Sequence, residues 1–161
     1  MALADREVLQ ATATAASGVD YVGAALVMDL TAVTPIETGP FWAPDRYPFV
    51  YATAANSDNA AVYGISLQVG STQNDRFDCL IRGTCDAAVY NGSSTSIAVG
   101  DPLSLGRTGT AAAMLYKAVT GENIVAFAME AVSGTASAIN IVNAPRLKIF
   151  KPAYGCVGVV Q

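Results

Sequence analysis

The chain contains no histidine. That single absence removes the Ser-His-Asp triad, the Cys-His dyad and every Cys/His zinc site. Charge is scarce as well, at 14% of residues, and the nine lysines and arginines are scattered without a run. With a net charge of −4, the chain lacks the basic patch that phosphate binding needs, so no nucleic-acid partner is expected. No charge-free apolar run reaches the ~18 residues of a membrane helix. The densest stretch, Tyr21 to Met28, is far shorter, and no membrane partner is expected. The opening residues Met1-Ala2-Leu3-Ala4-Asp5-Arg6-Glu7 show neither a basic leader nor an apolar core of a secretory signal. The expectation is a protein made and kept in a cytoplasm, or released from one by lysis. A phosphate loop ending in Lys-Ser or Lys-Thr is also missing. Gly106-Arg107-Thr108-Gly109 reads as a hairpin turn.

Cysteine is sparse, at three residues. Cys79 and Cys85 lie close in sequence, Cys156 is remote, and the spacing fits no metal site. A Cys79–Cys85 disulfide across a turn is conceivable, but the missing leader counts against it. All three are therefore expected to be reduced, as small buried apolar groups. Cys79 shares one face of an alternating strand with Phe77 and Ile81. Carboxylates are the remaining candidates for chemistry. Asp75 with Asp78, Glu122 and Glu130 could be considered, and Glu130 interrupts the apolar segment 124–132. A solvated or ion-paired role is the simpler account of each. No catalytic residue, metal site or cofactor is assigned, and the chain is read as a non-enzyme.

What the sequence has in excess is apolar residues, 52% of the total, with a mean hydropathy of +0.37. They are spread as Ala, Val and Ile through many short segments. Such a chain either buries an unusual share of itself or leaves apolar surface for a partner. From residue 60 onward, alternating strands are separated by turn signals every ten or so residues, Asn91-Gly92 among them. No segment has sustained helical periodicity. The fold class is all-β, a small compact barrel or sandwich.

One strand signature occurs twice. Val22-Gly23-Ala24-Ala25-Leu26 precedes a strand, a turn and a returning strand over 22–69. Val99-Gly100-Asp101-Pro102-Leu103 does the same over 99–132. The shared Val-Gly-x-x-Leu opening predicts that the two units occupy equivalent positions.

Two segments fall outside the strand pattern. Residues 1–19 read as an extended N-terminal arm that becomes ordered against a partner, because the Thr/Ala run 11–16 has no apolar stripe. Residues 34–48 carry four prolines and form a Pro-rich insertion in a single barrel domain spanning 20–161. Its aromatics Phe41, Trp42 and Tyr47 either plug one end of the barrel as a lid or anchor an interface. The residues singled out for partner contact are Leu3, Val8 and Leu9 of the arm and Phe41, Trp42 and Tyr47 of the loop.

The C-terminal half, from Ser96-Ile97-Ala98-Val99-Gly100-Asp101-Pro102-Leu103-Ser104-Leu105 through Ile124 to Val132 and Ala138-Ile139-Asn140-Ile141-Val142, resembles the small capsid decoration (cement) proteins of tailed bacteriophages. Ala126 stands where those proteins usually carry glycine, and the Pro-rich insertion is an addition. The resemblance implies a non-enzymatic homotrimer on the outer surface of the virion, tying major capsid protein subunits together. A phage tail or spike module that binds a receptor or glycan is the alternative, with Trp42, Phe41 and Tyr47 as its platform.

Overall fold

The computed structural model describes residues 6–13, 21–28, 47–51, 62, 64–70, 75–90, 96–105, 113–134, 141–152 and 158–161. Among these residues there is no helix, and the chain is all-β, as the alternation predicts. Eleven strands follow in order: β1 (Glu7–Ala13), β2 (Ala25–Met28), β3 (Tyr47–Tyr51), β4 (Gly64–Ser66), β5 (Arg76–Ala88), β6 (Pro102–Leu105), β7 (Leu115–Lys117), β8 (Asn123–Ile124), β9 (Ala126–Ala128), β10 (Arg146–Lys151) and β11 (Gly158–Val159).

Nine of them form one sheet in the order β1-β3-β2-β4-β5-β10-β9-β6-β7, and β1 also pairs with β5. The pairings β1–β3–β2–β4–β5–β1 therefore close a ring. The second half of β5 pairs with β10 from Gly83↔Lys151 to Ala88↔Arg146. From there β9, β6 and β7 lead back to β5 through the bridge Val89↔Leu115 and the bond from Tyr90 N–H to Leu115 O, 2.6 Å. The result is a barrel-like body in which β5 is a wall of both halves. β5 can serve both because it is long and changes partners at Gly83. The φ of +115° there is open only to glycine, and a Cβ would lie 3.0 Å from Arg6 Cα.

The interior follows from the period of two. On β10, Leu147, Ile149 and Lys151 point inward, whereas Arg146 and Lys148 are exposed. Leu80, Ile65, Leu103, Leu115 and Ile149 belong to the main apolar cluster. Phe77, Cys79 and Ile81 share the opposite face of β5 and pack with Ala24 and Leu26. Glycine at position 64 makes room for Cys79, since a Cβ there would lie 2.0 Å from its Sγ.

The two copies of the strand signature do take equivalent places. The order β3-β2-β4-β5 is mirrored by β7-β6-β9-β10. Leu26 pairs with Gly64 as Leu103 pairs with Ala126, and Ser66 pairs with Cys79 as Ala128 pairs with Ile149. Gly23 N–H donates to Ser66 O and Gly100 N–H to Ala128 O, each at 2.8 Å. Leu67 N–H donates to Asp78 O as Met129 N–H donates to Lys148 O, again at 2.8 Å. Both glycines open their units in the left-handed region, with φ of +83° and +87°.

One boundary differs from the sequence reading. Glu7–Ala13, expected within a free arm, is β1, antiparallel to β5 and parallel to β3. The Thr/Ala run that cannot make an amphipathic helix is well suited to an edge-to-edge strand, where main-chain bonds carry the pairing. The barrel thus begins at β1 and not near residue 20. The rest of the arm, 1–5 and 14–19, and residues 34–46 of the Pro-rich insertion lie outside the described residues.

Candidate interaction surface

The tip 98–101, which leads into β6, is held by its own backbone and by one carboxylate. Asp101 N–H donates to Ala98 O at 3.1 Å, and Asp101 Oδ2 accepts the Ala98 N–H at 2.8 Å. The same oxygen meets Lys117 Nζ of β7 at 2.7 Å. Partial burial pushes the Asp101 carboxyl up, but the Ala98 N–H and the Lys117 ammonium outweigh it and hold it below the usual carboxylate range. Pro102 fixes φ at the first residue of β6, where the ladder needs no donor.

This tip presents apolar surface. Val99 is 67% exposed, Val119 of the next turn 54% and Met129 at the end of β9 43%. Antiparallel pairing brings the three to one end of the molecule. Leu103 faces Lys117, Pro102 faces Phe127, and Gly100 N–H reaches Ala128 O. In the turn of Val119, Glu122 is buried; it accepts the Tyr116 hydroxyl and, at 2.9 Å, the Val119 N–H, which fixes the turn.

Three of the residues singled out from the sequence lie among the described residues. Val8 is exposed on β1, while Leu9 is half-buried and packs on the Phe77, Cys79 and Ile81 cluster. Tyr47 opens β3 in register with Ala11 of β1, so the arm and loop candidates meet on neighbouring strands. Leu3, Phe41 and Trp42 lie outside the described residues.

The carboxylates do not converge. Asp75 and Asp78 are half-buried at and near the start of β5, Glu122 is committed to its turn, and Glu130 is exposed, accepting Lys148 N–H at 3.4 Å. Among the described residues no group of acids, cysteines or histidines could hold a metal ion. Cys79 and Cys85 are free thiols. Both sit on the continuous strand β5, so no turn brings them together as a disulfide hairpin would require. Burial pushes each thiol up to about 12, against the pull of Lys151 on Cys79 and of Arg6 and Lys151 on Cys85. Cys156 lies outside the described residues.

The fold and this surface define an all-β, barrel-like protein with an exposed apolar end. Neither the protein-family models nor the curated proteins include a match to this chain.

Proposed function

We propose that the chain is a non-enzymatic capsid decoration protein, a homotrimer that binds the major capsid protein on the outer surface of a phage head. The observation that carries this reading is the tip at Val99-Gly100-Asp101. The residues that bear the resemblance to cement proteins are the ones that build a braced, solvent-exposed apolar end. Such an end suits binding, because its shape is set before a partner arrives and little ordering cost remains. Trimerisation would multiply modest single contacts into firm attachment across capsomer seams.

The test is addition of the purified protein to expanded heads assembled from the major capsid protein of the same genome. Saturable binding by a trimer, with heads that then resist heat or osmotic shock, is the expected result. A monomer that leaves the heads unbound discards the reading.

A further inference from the structure

The internal repeat places two glycine tips in equivalent positions, but only one of them is covered. At the first tip, Gly23 lies against the backbone of β5. Its carbonyl accepts the Ala88 N–H at 2.8 Å. A Cβ on Gly23 would sit 3.0 Å from both Ala88 N and Asp86 O. Ser66 Oγ completes the seat, accepting the Ala24 N–H at 2.9 Å and donating to Tyr21 O at 2.6 Å. The glycine is there so that an extended strand can approach the tip backbone to backbone.

At the second tip the same left-handed glycine faces open space. Among the described residues nothing lies within 4 Å of where a Gly100 Cβ would stand, and Gly100 and Val99 are exposed. The β5 segment seated on the first tip lies nine residues beyond Cys79, and Cys79 is the register equivalent of Ile149. The corresponding position after Ile149 falls at Gly158, which has instead moved to β11 and pairs with Ile124 of β8. Among the described residues, the second tip thus keeps the glycine geometry of the first with no strand seated on it.

We infer that the second tip receives an extended backbone segment of the partner protein, in the way the first tip receives Asp86–Ala88. This rests on the decoration reading, which makes the partner the major capsid protein. The strand would lie across Gly100 with its backbone against the tip, and Val99, Val119 and Met129 would flank it as apolar contacts.

The substitution Gly100→Ala separates docking from folding, because Gly121→Ala supplies a matched control. Both glycines have left-handed φ, +87° and +88°, and both have open space for a Cβ. Each variant should lower Tm by a similar few degrees, on the order of the backbone strain alone. Only Gly100→Ala should weaken binding to the heads, by about tenfold or more, as a Cβ forced between two backbones would. Hydrogen exchange on the wild-type complex should show new backbone protection in one segment of the capsid protein. Equal binding by the two variants, or no gained protection in the capsid protein, overturns strand docking while leaving the decoration reading intact. Wild-type protein that ignores the heads overturns both. Dissociation of the oligomer by Gly100→Ala alone would instead assign the tip to a second copy of this chain.

Discussion

At the scale of the residue, the chain spends its few charges on bracing. Asp101 holds the Ala98 N–H and Lys117 Nζ with a single oxygen. Because its folded pKa lies below the ordinary 3.8, its contribution is complete above the unfolded value. It is lost as pH falls through the folded one. Acid titration of Asp101→Asn, followed by tryptophan fluorescence or circular dichroism, should therefore match the wild type at low pH and fall short of it above about pH 4. An identical pH profile in the two proteins would dismiss the brace. Gly64 is a steric case. A methyl group there meets Leu80 O at 2.9 Å and the Cys79 sulfur at 2.0 Å, so Gly64→Ala should cost about 1–3 kcal/mol in denaturant melts. The thiols offer a third check. With burial holding them near pKa 12, Cys79 and Cys85 should stay unreactive to a disulfide reagent at pH 8 in the folded protein. In denaturant without reductant, three thiols per chain should titrate.

At the scale of the element, legibility divides by the kind of signal. Alternation of apolar and polar residues was enough to mark β10 around Leu147 and Ile149, because that strand has one face in the core and one toward solvent. It marked Arg76–Arg82 as well, but Gly83-Thr84 read as a break, whereas β5 runs through it and is buried on both faces, at Leu80 and at Phe77, Cys79 and Ile81. The repeated Val-Gly-x-x-Leu was readable for a related reason: a left-handed turn and a buried leucine each demand a residue type. β1 was not readable as part of the barrel. Its pairing with β3 and β5 depends on main-chain bonds, which leave no trace in side-chain pattern. The exposed end of Val99, Val119 and Met129 was also hidden, since it is assembled from three turns that sequence separation keeps apart. The place of β1 changes what truncation should do. Deleting residues 1–13 would open the ring between β3 and β5, so the variant should melt well below the full chain and expose an aggregation-prone edge. A truncated chain with unchanged Tm would return β1 to the status of a dispensable arm.

At the scale of the whole molecule, the mirrored order about β5 and β10 makes two similar units into one body. Neither unit is a domain in the sense of a separable core. The first ring needs the N-terminal half of β5, the second needs its C-terminal half, and Gly83 is the joint between them. An acidic chain with positive mean hydropathy and an exposed apolar end should not remain a lone copy at working concentrations. Sedimentation equilibrium should give a mass near three chains, and a monomer across the micromolar range would remove the trimer from the proposal.

The shared strand also decides how the chain may be cut. A break between Tyr90 and Ser96 separates the two repeats in sequence, yet it leaves β10, β9, β6 and β7 without the wall on which their ring closes. The piece 96–161 should therefore be unfolded by itself. Mixed with the piece 1–95, it has a template in the free edge of β5, and the two should recombine into a single cooperative unit. The repeat would then be a lock with two halves and one common tongue, in which the first half supplies the edge that lets the second one fold.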